Sequence, residues 1–262
     1  MRENSAQRKD TPIDVSIVVT AHHEGRLAHH TMRSLFRSAD FAREKGLAVE
    51  VVIVLDRPNG ATENYFSRYK NSGITVRPAD FGDLGLSRNF GISLASGRCV
   101  AILDADNLIS RYWIHESCMY LRKNDKHIVA HPEYQMVFEA DNFVFRQISS
   151  TDERFRIENI MEYNYWDAVS VTSREIFLRY PYESTTGGEG FGYEDWHWNC
   201  QTLSGGIEHH VVPNTVHFMR MKKSGSLLAY TRETNRLIRP SRLFDPAIFS
   251  HMIQAERVRQ RE

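Results

Sequence analysis

Three stretches of this chain are apolar and largely β-branched without interruption: VSIVVT at 15–20, VVIVL at 51–55 and CVAIL at 99–103. A strand with water on one face alternates polar and apolar residues, so runs of this kind belong to a sheet covered on both faces, as parallel sheets are. The intervening sequence supplies the covering helices. Leu27, Met32, Leu35 and Phe36 recur at helical spacing, and Gly46 reads as the C-cap that precedes the second strand. A helix near 61–69, a short strand at 74–77 and a helix at 86–96 closed by Gly97 continue the alternation. Four strands and three helices in about a hundred residues predict a doubly wound α/β arrangement with right-handed crossovers.

The remainder reads as mixed. Strands are expected at 128–131, then at 134–139 and 142–147 as a hairpin, with a helix around 156–163 and a strand at 168–172 feeding a helix to Tyr180. A glycine-rich loop at 181–192, a helix at 193–203, short strands at 209–212 and 216–219 and a charged helical segment from 226 complete the chain. These pieces predict antiparallel additions to the same sheet. The expected organisation is a disordered N-terminus at 1–12, a first half at 13–110, a second half of the same domain at 111–230 and a helical tail at 231–262.

Composition limits the function. Thirty-three Lys and Arg balance 33 Asp and Glu, so no bulk charge draws the protein to nucleic acid or to an anionic membrane. Cys99, Cys118 and Cys200 are odd in number and far apart, the usage of reduced core thiols. The N-terminus is charged, and no run of about 18 apolar residues occurs. A cytoplasmic protein is expected, with peripheral attachment to the inner membrane or a homodimer contact as roles for the tail, where Leu237, Leu243, Phe244, Ile248, Phe249 and Ile253 lie among arginines.

Chemistry concentrates where strands end. Asp104-Ala105-Asp106 follows CVAIL, and in an open parallel sheet ligands bind beyond the carboxyl ends of the strands. Two carboxylates this close suit a hard divalent ion, Mg2+ or Mn2+, shared with phosphates; the alternative is Asp104 as a helix cap and Asp106 in solvent. Asp56 ends the second strand, and Thr20, Ala21, His22 and Glu24 follow the first. Arg88, at the start of a helix, is badly placed for the macrodipole unless an anion lies near, which makes it a candidate diphosphate ligand or a surface charge. Gly187, Gly188, Gly190 and Gly192 precede Glu194 and Asp195, which can cap a helix or supply a general base. Trp196 offers a sugar-stacking ring or a core indole, and His217 a metal ligand or a structural imidazole. No Cys-x-x-Cys, His-Glu-x-x-His, Gly-x-Ser-x-Gly, Walker loop or post-strand Gly-x-Gly-x-x-Gly is present, which removes support for zinc proteases, α/β-hydrolases, P-loop NTPases and typical NAD enzymes.

Taken in order, VSIVVTAHHEG, VVIVLDRPNGAT, GLSRNFGISLASGRCVAILDADN, YEDWHWNCQTLSGG and the late histidine of TVHFMRMKKSGS resemble the family 2 glycosyltransferases of the GT-A fold. The resemblance implies a Rossmann-like, mostly parallel sheet flanked by helices with mixed acceptor-side additions. It makes 13–110 the nucleotide-sugar-binding half and 111–230 the acceptor-binding half. It implies a donor held by Thr20, Ala21, Glu24, Asp56, Arg88, Asp104 and Ala105, and a Mn2+ or Mg2+ ion on Asp106 and His217. Asp195 is implied as catalytic base, with Gly188, Glu194 and Trp196 on the acceptor side. The implied reaction is inverting transfer from a nucleoside-diphosphate sugar to a glycan, lipid-linked or small-molecule hydroxyl, in bacterial surface glycan or glycolipid synthesis. The first loop reads Thr-Ala-His-His-Glu where the family commonly has Pro and Tyr-Asn, and Arg57-Pro58 replaces a second Asp and Gly, so the base is left open. Competing expectations are a sugar-nucleotide pyrophosphorylase, poorly matched by the loop AHHEGR, and a non-catalytic carbohydrate- or nucleotide-binding module that keeps the fold.

Overall fold

The computed structural model describes residues 12–70, 72–124, 127–185, 190–223 and 225–259. The segment expected to be disordered lies outside them but for residue 12.

The first half alternates as expected. Strands β1 (Val15–Ala21), β2 (Val49–Asp56), β3 (Thr75–Ala79) and β4 (Cys99–Asp104) are separated by helices α1 (Ala28–Glu44), α2 (Gly60–Ser67) and α3 (Leu84–Leu94). All three pairings among these strands are parallel, and β1 is buried along its whole length. The pleat sends alternate residues to opposite faces. Ile17, Val19, Ile53 and Leu55 join Met32 and Leu35 of α1 in one core, while Val18, Val52 and Ile102 join Ile92 of α3 in the other. Gly91 lets α3 approach: a Cβ there would stand 2.3 Å from Val18 Cγ1 and 3.2 Å from Val54 Cγ2.

The second half adds β5 (Leu108–Ile109), α4 (Trp113–Lys123), β6 (Ile128–Glu139), β7 (Phe143–Arg146), β8 (Val171–Ser173), α5 (Arg174–Arg179), β9 (Phe191–Gly192), α6 (Glu194–Ser204) and β10 (Glu208–Met221). The main sheet has nine strands in the order β3-β2-β1-β4-β8-β6-β10-β5, with β7 paired to β6. Because β8 is antiparallel to both β4 and β6, and β10 is parallel to β6, the strands β1, β2, β4, β6 and β10 all finish on one rim. Two expected breaks are absent. Residues 128–139 form one strand through Pro132, which lies between the pairings of β6 with β8 at Ala130 and with β7 from Tyr134 onward, and opposite the register shift of β10 between Val212 and Val216. A proline is tolerated at such an interruption because no regular ladder bond is lost. The same shift lets β10 run from 208 to 221 without ending. The helix expected at 156–163 is a short 3-10 turn, Ile157–Met161.

The C-terminal stretch packs on the domain. After α7 (Leu227–Glu233), β11 (Leu237–Ile238) pairs with β9, and α8 (Pro246–Arg259) returns to the second half. Leu243 is fully buried with Phe155, Ile157, Trp166 and Leu203, and Phe249, Met252 and Ile253 pack against them as a third core. Glu256 accepts the Ile157 N–H at 2.7 Å and is 7% exposed. Among the described residues no helix is long and apolar enough to cross a membrane.

The tight seat of α3 carries a prediction. Gly91→Val places a branched side chain against buried Val18, an overpacking that costs about 1–3 kcal/mol. Urea unfolding should show a midpoint lowered accordingly; an unchanged midpoint would mean that α3 can retreat from the sheet.

Candidate active site

The rim is built from carboxylates whose partners differ. Asp56 is 6% exposed. Its Oδ1 accepts the N–H groups of Phe81 and Gly82 at 2.8 and 3.0 Å, and its Oδ2 accepts Asp83 N–H at 3.1 Å and the Ser87 hydroxyl at 2.8 Å. Four donors fill an ionised carboxylate. The expectation that Asp56 meets the nucleoside thus gives way to a structural one: it clamps the 81–83 turn that opens α3. Asp83 extends the clamp, capping α3 through Leu86 N–H and holding Ser184 and Thr185.

Arg88 also departs from its expected surroundings. It is 1% exposed, its Nη2 donates to both oxygens of Asp104 at 3.0 and 3.1 Å, and its Nη1 donates to Glu194 at 2.8 Å. Burial opposes the guanidinium charge, and the two carboxylates more than reverse that effect, raising the group above its usual value. The macrodipole argument called for a nearby anion; the anions are the protein's own. Thr20 donates to Asp104 Oδ1 at 3.1 Å, while Ala21 and Ala105 are buried with Ala105 N–H on the Thr20 carbonyl at 3.0 Å. Glu24 receives His22 N–H at 2.6 Å; burial first, and the nearby Asp106 charge as well, raise its carboxyl.

Across the cleft, α6 begins with Glu194 and Asp195 after Tyr193, which holds a left-handed backbone (φ 58). Glu194 belongs to Arg88. Asp195 Oδ1 takes the Trp196 N–H at 2.8 Å and Oδ2 lies 3.4 Å from Asn164 Nδ2. Burial, with the Glu194 charge second, pushes the Asp195 carboxyl up to about 7, the range of a general base at neutral pH. Trp196 donates its indole N–H to the Ile160 carbonyl at 2.7 Å and packs on the third core. Gly188 lies outside the described residues.

Three residues not anticipated from the sequence complete the site. Asp167 Oδ2 stands 2.5 Å from His217 Nδ1, and His217 is 1% exposed with Nε2 buried and without a partner. Burial acts to raise Asp167, but His217 holds it below the usual carboxylate range. Lys222 Nζ lies 2.6 Å from Asp106 Oδ2. Asn164 orients Asp195 and is itself held by Asn199 Nδ2 at 2.9 Å. Asn164 and Asp167 stood in no recognisable motif, and Lys222 lay in the string TVHFMRMKKSGS without being singled out; their order along the chain gives no sign that β8, β10 and α6 converge. Among the described residues no group of three or more His, Cys, Asp or Glu side chains surrounds a point where an ion could sit. Asp106 nonetheless offers the carboxylate that a hard ion such as Mg2+ takes together with substrate phosphates, and His217 adds a buried imidazole nitrogen with no hydrogen-bond partner among the described residues. A cavity of about 540 Å3 under α8 is lined by none of these groups.

Residues 16–180, more than half of the sequence, match the model of glycosyl transferase family 2. The chain belongs to that family. A search of curated proteins found no match. Solved structures with a similar fold include TarS 1–349 of S. aureus in complex with UDP-GlcNAc, at a TM-score of 0.63 and 13% identity, covering 83% of this chain and 61% of that one. GalNAc-T7 with UDP, GalNAc and Mn2+ superposes with a TM-score of 0.57 and 15% identity over 81% of this chain and 45% of the other. The family 2 chain therefore has the GT-A fold, and it spans about three-fifths of TarS 1–349.

Two outcomes follow for this family 2 site. Arg88→Met leaves two acids without their cation in a buried position, a change that costs about 3–5 kcal/mol for such pairs; guanidinium unfolding should report a loss on that scale, and a loss below about 1 kcal/mol would contradict the strut. Asp195→Asn removes a carboxyl that is neutral in both states below its unfolded value of 3.8 and costly to ionise in the fold up to about 7. The variant should therefore melt higher than the parent at pH 8 and gain less at pH 5; equal gains at both would deny the raised value.

Proposed function

We propose that the protein transfers a glycosyl group from a nucleoside-diphosphate sugar to an acceptor hydroxyl with inversion. The observation that carries this reading is Asp195: of the two acids at the start of α6, Glu194 is tied to Arg88, whereas Asp195 has no cation of its own among the described residues and keeps a carboxylate of raised basicity. Asp195 removes the proton of the acceptor hydroxyl, that oxygen forms a bond to the anomeric carbon, and the bond from that carbon to the diphosphate oxygen breaks, the electron pair leaving with the nucleoside diphosphate. A single displacement of this kind inverts the anomeric centre.

The donor lies along the rim of β1 and β4, where Thr20, Glu24, Asp104 and Asp106 gather. Asp56 and Arg88 serve it indirectly, the first by holding the 81–83 turn and the second by fixing Asp104 against Glu194. Asp106 and His217 Nε2 would hold Mn2+ or Mg2+, and such an ion would neutralise charge on the departing diphosphate. TarS is solved with UDP-GlcNAc and GalNAc-T7 with UDP and Mn2+, which makes uridine the first base to test. The acceptor, a glycan, lipid-linked or small-molecule hydroxyl, approaches past Trp196, and a cytoplasmic place in glycan assembly accords with this reading.

Thermal unfolding with Mn2+ and UDP, GDP, dTDP or CDP, repeated in EDTA, tests the donor. A ligand at a hundred times its dissociation constant adds roughly 2.7 kcal/mol to stability. One nucleotide should shift the melt in a metal-dependent way. Asp195→Asn should keep that shift and lose turnover of the matching nucleotide sugar by about 10²–10⁴-fold, and the parent's rate should fall as the pH drops below about 7. No shift with any nucleotide would sink the donor site, and full turnover by the variant would remove Asp195 from the reaction.

A further inference from the structure

Lys222 follows directly on β10, and the strand end before it fixes where its side chain can go. Arg220 donates its backbone N–H to the Asn107 side-chain oxygen at 3.0 Å and its Nε to the Asp106 carbonyl at 3.2 Å. The end of β10 is thereby fastened to the turn that carries Asp106. Arg220 is occupied further by Glu139, so its guanidinium stays with the fastening. The next cation along the chain, the Lys222 ammonium, arrives at Asp106 Oδ2 at 2.6 Å, with the two side chains 21% and 18% exposed. The pair is thus shielded enough to be an ordered contact and open enough for a ligand to reach. Arg88 offers no such cation, since it is enclosed between Asp104 and Glu194.

A divalent cation that approaches Asp106 meets this ammonium first. Two cations on one carboxylate repel, so the lysine must leave before the ion can be held closely. A diphosphate supplies what the lysine needs in exchange, because its oxygens bind an ammonium as a point charge and the four-carbon stem lets the group swing to them. Resting on the donor-site reading above, we infer that Lys222 couples metal to diphosphate: its ammonium holds Asp106 until a nucleoside diphosphate draws it away, so that the divalent cation binds Asp106 tightly only together with the diphosphate. The coupling is reciprocal, and the ion strengthens diphosphate binding by the same factor.

The test is Mn2+ binding, followed by the loss of the free-ion paramagnetic resonance signal, on the whole chain and on Lys222→Met and Lys222→Arg, each with and without saturating UDP. In the parent, UDP should tighten Mn2+ markedly. Lys222→Met should bind Mn2+ without nucleotide about 10-fold more tightly than the parent and show a UDP enhancement reduced by a similar factor, a size usual for coupling between two sites. Lys222→Arg, which keeps the charge, should stay near the parent and shows that the effect is one of charge. A Lys222→Met affinity within twofold of the parent in the absence of UDP, or an undiminished enhancement, would overturn the inference while leaving the donor site intact. If no variant takes up Mn2+ under any condition, Asp106 is no metal ligand, and the metal assignment falls together with the inference.

Discussion

The buried guanidinium of Arg88 is the constraint around which the site is arranged. It joins three elements, one of them far along the chain: it rises from the second turn of α3, holds the carboxylate that ends β4 through Asp104, and reaches the first residue of α6 through Glu194. A cation this deeply buried is costly to desolvate, and its own N–H fork is repaid only by acids in fixed positions. The ion triad therefore locks the first half of the chain to the second at the end of β4 and the start of α6. Asp195, one residue beyond Glu194, inherits its position from that lock.

The acids of the rim sort by what already neutralises them. Asp56 is filled by four donors and Asp104 by Arg88 and Thr20, so both act as framework. Asp106 is matched by Lys222 and Asp167 by His217, contacts that a ligand or ion can reorganise. Among the described residues Asp195 is met by a backbone N–H and a long contact from Asn164, and burial with the Glu194 charge raises its carboxyl. A set of acids in one cleft would repel if all were treated alike. Their different partners let several acids stand close together within the same few elements.

The apolar runs at 15–20, 51–55 and 99–103 made the parallel core legible, because burial on both faces leaves a sequence few other ways to fold. The strand ends were legible for the same reason: the polar residues that stop each run, Ala21 with its loop, Asp56 and Asp104, fall together on one rim. What each acid does there was not, since Asp56 and Asp106 look alike in sequence and differ only in whether the 81–83 turn or the end of β10 comes to meet them. The second half was less legible. Separate strands were expected at 128–131 and 134–139, yet β6 passes through Pro132 where the flanking ladders are themselves interrupted, a fact set by strands far along the chain. Asp167, in the plain string YWDAV, acquires a role only because β8 slots between β4 and β6 and brings it to His217 on β10.

The N-terminal end of α6 illustrates how local strain and a distant contact combine. Tyr193 adopts a left-handed backbone that a residue with a large side chain seldom takes, at a cost of order 1–3 kcal/mol for such conformations. The turn places Glu194 and Asp195 at the N-terminus of the helix, where the macrodipole favours negative charge. That field would on its own make Asp195 a weak base. Burial and the adjacent Glu194 act in the opposite sense and prevail, since Asp195 ends with a raised value. The helix start thus supplies position, burial and the neighbouring Glu194 supply basicity, and Arg88 holds Glu194 in place while its own charge acts to lower Asp195.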